Sequence, residues 1–380
     1  MGSPNNPSHV VIIGGGIIGC STAFYLSALG HHNVTVLEQC DIACHSSGKA
    51  GGFLARNWCK ETDLSELAQK SYELHMELAE KYPDLDYRGV DTFQVSTSHQ
   101  SAPGNEVFQR KPALHWLSSD HVTGVELLDT SKNTAKVSPK LLCVKLLNEA
   151  KSKGTVVKFV KVTGITSVVS GGSSRVSEVI VSGSEGDSII PTDSLVIATG
   201  PWTTNFIHEH FPHFSLPSIR PQTRAHSVLL QPANPVGSEC IFQYHKTRSG
   251  ATVDPEIYPL PDGTVYVCGE VDEVPLPEAP HLIQPDLDKC QDLIIQASHA
   301  AKCLGSAKVL ARQACYLPDS SDHIPIIGKM PGLTNVFIGT AHTFWGILNG
   351  PATGKCLAEL ILNGKAETCD ISKFDPARFL

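Results

Sequence analysis

Short runs of consecutive apolar or β-branched residues punctuate this 380-residue chain at Val10-Val11-Ile12-Ile13, Val34-Thr35-Val36-Leu37, Leu195-Val196-Ile197-Ala198 and Val336-Phe337-Ile338. A run that is apolar on both sides of the pleat predicts a strand covered on both faces, as in a parallel sheet. Between the first two runs, apolar positions through Ala23, Leu26 and Leu29 predict a helix, which Gly30 closes. The helical period returns at about 64–81, 139–153, 286–303 and 351–362. Residues 44–52 read as a Gly/Ser-rich loop. Gly154 separates the third helix from a strand at 155–160, and 162–191 reads as a hairpin or small meander. Short strands fill 85–130. From 207 to 279 the strands are punctuated by Pro, as in an antiparallel sheet. No internal repeat is visible.

The first βαβ unit carries Gly14-x-Gly16-x-x-Gly19 between its strand and helix, with Glu38 nineteen residues after Gly19. Gly14 allows the tight turn, Gly16 lets a pyrophosphate approach the backbone, and Gly19 lets the helix pack on the strand. The helix N-terminus offers free N–H groups to phosphates. Glu38 accepts from a ribose diol and repels a 2′-phosphate, which favours FAD or NAD over NADP. Ile17 and Gln39 complete the expected contact set.

Composition narrows the rest. The chain is 41% hydrophobic and 18% charged, with a formal net charge of −8, which is globular rather than disordered. No Lys/Arg run supplies the basic surface that nucleic acid needs, and no apolar stretch approaches the length of a membrane span. Twelve scattered Cys without a C-x-x-C read as reduced thiols. The polar start 1–9 leaves no room for a leader peptide, so a cytoplasmic location is expected. His208-x-His210-x-x-His213 lacks the further ligands a zinc site requires and reads as a surface loop.

Three further stretches decide which dinucleotide is bound: Cys44-His45-Ser46-Ser47-Gly48-Lys49-Ala50-Gly51-Gly52, LVIATGPW at 195–202, and FIGTAHTFWGILNGPATGK at 337–355. With the fingerprint, 137–154 and 322–331, they resemble the FAD-dependent D-amino acid oxidase superfamily, which includes glycine oxidases, sarcosine oxidases and amino-acid dehydrogenases. The resemblance implies an α/β fold. A Rossmann-like FAD-binding domain (8–90, 131–206 and 312–368) is interleaved with a smaller antiparallel-sheet substrate domain (91–130 and 207–311). It further implies that Ser47, Gly48, Gly51 and Gly52 line the pyrophosphate and flavin side and that Val162 meets the adenine. Ala198, Thr199, Gly200 and Trp202 would close over the middle of FAD. Gly339, Thr340, His342, Trp345, Gly346 and Ile347 would hold the flavin. Ala341 stands where the family often has Gly.

The implied reaction is hydride transfer from the α-carbon of a small-molecule amine, amino acid or imino acid to FAD, with dioxygen or another acceptor reoxidising it. The family's carboxylate-binding Arg position holds Leu317, so the anchor is open. Arg56 matches the sarcosine-oxidase Arg or is a surface residue. Arg224 and His226 lie on a strand that borders the flavin, and Arg312 is a weaker choice. Tyr258 and Tyr244 are wall residues or core. Cys315 aligns with the covalent flavin attachment of sarcosine oxidases or is a buried thiol. The oxygen-activating Lys is missing from 258–270, so either another cation such as Lys49 or Lys246 serves or dioxygen is not the preferred acceptor. Carboxylates in 270–278 read as a solvated acidic loop or as a bias of the site's mouth toward a cationic amine. Two other readings stand beside this one: a flavoprotein that keeps FAD structurally and acts as an interaction or sorting factor, and an NAD-dependent enzyme.

Overall fold

The computed structural model describes residues 7–100, 114–117, 120–170, 172–213 and 223–380. Parts of the expected substrate domain, 101–113, 118–119 and 214–222, lie outside the described residues. Val10–Ile13, wholly buried, is an inner strand of a six-stranded sheet. The order is Ile326–Lys329, Val336–Thr340, Ser194–Ile197, Val10–Ile13, Val34–Glu38, Val156–Phe159. Pairing is parallel except at the edge formed by Ile326–Lys329. Alternate residues feed two cores: Val10, Ile12, Val34 and Val36 on one face, Val11, Ile13, Leu37, Leu195 and Ile197 on the other. This accounts for strands without polar alternation.

The helix Ile17–Ala28 is buried from Ile17 through Ser27. Close approach explains this, because helix Gly346–Asn363 lies against it. A Cβ on Gly350 would stand 2.4 Å from Ile17 Cγ1, and one on Gly354 2.4 Å from Ser21 Cβ. The sequence predicts this last helix from 351, but it begins at Gly346 and carries Pro351 inside. Pro351 has no N–H to bond the carbonyl of Ile347. His75, from helix Ser65–Lys81, meets that oxygen with Nε2 at 2.9 Å. A partner from another element therefore sustains the irregular turn.

The second large sheet runs Lys308–Tyr316, Thr223–Gln231, Val265–Glu273, Glu256–Pro259, Cys240–Lys246, Thr92–Ser98, Val122–Asp129, with Thr252–Val253 attached to Cys240–Lys246. All pairs are antiparallel except Cys240–Lys246 with Thr92–Ser98, which are parallel because the chain re-enters the sheet after a long excursion. The expected boundary between 311 and 312 falls within strand Lys308–Tyr316, which pairs along its length with Thr223–Gln231. Helix Leu287–Ala300 covers this sheet through Cys290, Leu293, Ile294 and Ala297. Asp286 caps it by accepting from the Asp288 and Lys289 N–H groups. The predicted 286–303 helix ends at Ala300, and a short turn Lys302–Gly305 follows. Strands Lys161–Ser170, Ser173–Gly183 and Gly186–Pro191 form the expected meander.

Two local expectations are corrected. Cys40 and Cys44, read as free thiols, form a disulfide, the turn between them bringing their Cα atoms to 6.6 Å. His208 and His210 lie on helix Thr203–His210 rather than in a loop. Among the described residues, no helix is long and apolar enough to cross a membrane.

Candidate active site

A cavity of about 1090 Å³ runs from the carboxyl ends of the parallel strands to one face of the second sheet. Ligands in open α/β sheets collect outside those strand ends, where the turns present backbone rather than side chains. At the first end lie Gly14, Gly16, Ile17, Glu38, Gln39 and Val162. Gly14 has φ +112°, and a Cβ there would stand 2.3 Å from the Ala198 carbonyl oxygen. Glu38 is held by its own neighbourhood: Oε2 accepts from the Gly15 N–H at 2.7 Å, and Oε1 from Gln39 and Cys40 N–H at 2.7 and 3.0 Å. Gly19 does not line the cavity. A Cβ on it would meet the Gly14 carbonyl oxygen at 1.9 Å, so its place is the helix–strand contact.

In the middle, Ser47 lines the cavity and its Oγ accepts from the Ile17 N–H at 3.0 Å. Gly48 is corrected: it faces Ala43 and a smaller neighbouring hollow instead. Ala198, Thr199, Gly200 and Trp202 line the main cavity. The Trp202 indole donates to the Pro277 carbonyl at 2.8 Å and its ring meets His45 edge-on. Burial drives His45 down to about 3, and Lys49 adds to this.

The C-terminal strand delivers Gly339 and Thr340, and the turn beyond it brings His342, Trp345, Gly346 and Ile347 to the wall. Ala341 and Thr343, flanking His342, both have positive φ (62° and 48°), so this turn holds backbone strain at the cavity. His342 meets Thr353 Oγ1 with Nε2 at 2.9 Å, and burial pushes it down to about 3. It is therefore neutral across the working pH range. Helix Gly346–Asn363 starts here with no side-chain cap and no acid in its first turn, so its positive end is uncompensated.

The far end is built by the second sheet and the segment after the glycine loop. Gly51, Gly52, Phe53, Trp58, Phe242, Glu256, Tyr258, Tyr266, Cys268, Cys315 and Leu317 line it. Tyr258 is buried and donates to Glu256 Oε2 at 2.5 Å. Burial raises the Glu256 carboxyl above its ordinary range, against the lowering effect of the bonds from Tyr258 and Cys268. Burial pushes the Cys315 thiol up to about 11, with Lys49 opposing, so it is protonated at neutral pH.

The arginines are not there. Arg56 does not line the cavity; its Nη2 pairs with Glu73 Oε1 at 2.9 Å on the outer side, both side chains about 40% exposed. Arg224 is clamped to Asp272 by Nε and Nη2 (2.9 and 2.6 Å) and to the Gln284 carbonyl by Nη1. The strand is irregular here, its register shifting between Ala225 and Ser227, and Ala225, His226 and Ser227 all reach the cavity while Arg224 does not. His226 lines the wall, bonded by Nδ1 to the Glu270 carbonyl. Arg312 and Lys246 are exposed, and Tyr244 is 45% exposed. Lys49 donates to the Ala314 carbonyl at 2.9 Å. Two carboxylates of the expected acidic loop are partnered, Glu270 with Lys289 and Asp272 with Arg224, while Glu278 lines the cavity.

Residues 9–360 match the sequence profile of a family described as FAD dependent oxidoreductase. The chain belongs to that FAD dependent oxidoreductase family. A fission-yeast protein (Schizosaccharomyces pombe), named only as a candidate oxidoreductase, is 32% identical over 98% of each chain. Glycine oxidase of Bacillus licheniformis is 24% identical over 97% of this chain and 96% of its own. Glycine oxidase of Geobacillus kaustophilus has the same fold, with a TM-score of 0.78, 20% identity and 98% of each chain covered.

The cofactor of the family is FAD, and the site fits it. The cavity has room for an extended dinucleotide, with an open backbone turn at Gly14–Gly16, a carboxylate at the next strand end and a second uncapped helix start opposite. Sequence reasoning missed Glu256, Trp58 and Phe242. A signal was present in Asp254-Pro255-Glu256-Ile257-Tyr258, where carboxylates and a phenol alternate with apolar residues in an otherwise buried strand.

Proposed function

We propose that this chain oxidises an amine at the carbon bearing the nitrogen, the donor being an amino acid, an imino acid or a related amine. FAD supplies the hydride acceptor; the substrate gives up a hydride from carbon and releases the nitrogen's proton to solvent, and water then hydrolyses the imine. The observation that supports the reading is that one cavity is lined both by the turns of the first sheet, which would hold the flavin, and by a face of the second, which would receive the substrate.

The chain's own residues bind, orient and exclude water. Glu38 and Gln39 take the ribose, Gly14, Gly16 and Ile17 the pyrophosphate, and Val162 the adenine. Ser47, Ala198, Thr199, Gly200 and Trp202 cover the middle. Gly51, Gly52, Gly339, Thr340, Trp345, Gly346 and Ile347 enclose the ring, with the helix start at Gly346 favouring negative charge beside it. His342, neutral and bonded to Thr353, fixes the strained turn. Cys315 touches the ring's surroundings as a thiol, so flavin should leave with the supernatant when the protein is precipitated in acid. Arg56 and Arg224 have no part in it, because both are committed elsewhere.

The interaction-factor alternative is not carried forward: a half-buried carboxylate such as Glu256, raised by its desolvation, costs stability, and holding FAD alone gives no reason to keep it. A cytoplasmic setting rests on ten free cysteines and is checked by imaging a tagged protein. The decisive experiment is anaerobic mixing of the FAD-loaded protein with a panel of amines, amino acids and imino acids. At least one should bleach the flavin's visible band, and a panel that leaves it untouched refutes the reading.

A further inference from the structure

The substrate end of the cavity is furnished for a cation. Among the described residues no Arg lines the cavity, and its one Lys, Lys161, sits beside Val162 at the nucleotide end. Leu317 lines the wall where a carboxylate-binding cation would be useful. With Lys136 set against the Tyr258 ring at 5.0 Å and not lining the cavity, an α-carboxylate brought here would lose its water and find no cation on the wall, which is strongly unfavourable. Instead it would face Glu256.

Glu256 is placed to receive charge. Tyr258 Oη at 2.5 Å and Cys268 Sγ at 3.5 Å both donate to its Oε2, leaving Oε1 for a ligand. No Lys, Arg or His among the described residues forms an ion pair with it. Its neighbours form an aromatic wall: Phe53, Trp58 and Phe242 contact one another with ring centroids 5.0–5.1 Å apart. Tyr258 stacks on Phe53 at 5.7 Å, with the planes 9° apart. A half-buried carboxylate beside several ring faces suits an alkylated ammonium, which is weakly hydrated and attracted by the ring quadrupoles.

We propose that the substrate is a cationic N-alkylated amine without an α-carboxylate, its ammonium held by Glu256 against the wall of Phe53, Trp58, Phe242 and Tyr258. The inference rests on the proposed amine oxidation. It goes further by naming the charge that the substrate carries and the one that it lacks. Protonated Glu256 cannot pair with the cation, so binding strengthens as pH rises through this residue's elevated titration.

Two matched comparisons on the FAD-loaded protein test it. The first uses ligands that cannot be oxidised, tetramethylammonium and acetate, read by perturbation of the flavin's visible spectrum. Tetramethylammonium should bind at least about tenfold more tightly; equal or reversed affinities overturn the proposal. The second follows anaerobic flavin reduction by N,N-dimethylethylamine and by N,N-dimethylglycine, which differ only by methyl against carboxylate. Faster reduction by the amine supports the proposal. Faster reduction by the amino acid overturns it and leaves amine oxidation standing, whereas failure of the whole amine and amino-acid panel removes both.

Glu256→Gln should weaken tetramethylammonium binding about tenfold with FAD retained, and unchanged affinity counts against the assignment. Should that variant lose its flavin, Trp58→Leu replaces it. This substitution should lower cation affinity several-fold and leave acetate unaffected, and equal losses for both ligands overturn the role of the wall.

Discussion

At the nucleotide end of the cavity the wall is backbone: Gly14, Gly16 and the turns after Ile197 and Ile338 come within bonding range of a ligand because little side chain intervenes. At the amine end the wall is side chain: Glu256, Tyr258, Phe242 and Cys268 project from alternate positions of neighbouring strands. The first end is tight where it turns, since a Cβ on Gly14 would meet the Ala198 carbonyl oxygen at 2.3 Å. The second is a surface whose chemistry can be rewritten without touching the fold.

The largest expected effect breaks the first end. Gly19→Ala sets a Cβ 1.9 Å from the Gly14 carbonyl oxygen, and the backbone has nowhere to go without moving the fingerprint turn. We expect a loss of about 3 kcal/mol or more, measured by denaturant unfolding, together with poor FAD retention. A variant that folds and binds FAD normally would show that this contact is more yielding than its geometry requires.

The next effect concerns protons. Burial holds His75 at about 4 and His342 at about 3, while an unfolded chain titrates near its ordinary value of ~6.5. In that interval the unfolded state takes up protons that the folded state refuses, so stability rises with pH. The contribution is complete above about pH 6.5 and drains away as pH falls toward 4. The unfolding midpoint of the FAD-loaded protein should therefore decline as pH falls from 6.5 to 5. His75→Gln, which can still donate to the Ile347 carbonyl, should make that decline shallower.

This contrast also explains what could be read from the chain beforehand. Gly14, Gly16, Gly19 and Glu38 are recognisable because a backbone turn and a strand end impose both residue type and spacing. The parallel sheet followed from runs such as Val10–Ile13, which leave no polar face. Arg56 and Arg224 could not be placed, because the direction of a long side chain depends on partners remote in sequence. Glu73 lies 17 residues beyond Arg56, and Asp272 48 beyond Arg224. Glu256 escaped for the same reason: its burial comes from strands that meet only in the folded sheet. The early start of the last helix was hidden by Pro351, whose rescue by His75 is a tertiary contact.

At the amine end, substitutions should change ligands and spare the cofactor. Leu317→Arg supplies the missing guanidinium, and carboxylate affinity should rise about tenfold or more, with FAD binding unaltered. Acetate titration of the flavin spectrum measures it. An unchanged affinity would mean that this part of the wall is not where substrates lie. Tyr258→Phe is gentler. It removes one of the two hydrogen bonds that hold Glu256 down, so its carboxyl rises further. The onset of cation binding should then shift to higher pH, with a loss of only a few-fold well above it.

The smallest effect is expected at Arg56, and it tests the boundary of the cavity. The guanidinium and Glu73 form an exposed pair, and Glu73 keeps Lys70 at 3.2 Å when Arg56 is gone. Exposed pairs contribute between about 0.2 and 1 kcal/mol, so Arg56→Ala should shift the unfolding midpoint barely and leave half-saturation for flavin reduction unchanged. A tenfold rise in half-saturation, specific to carboxylated donors, would mean that the side chain leaves Glu73 and swings over the glycine loop when substrate arrives. The amine end would then have a movable cation, and its preference would be set by that motion rather than by the fixed pairing of Glu256 with the aromatic wall.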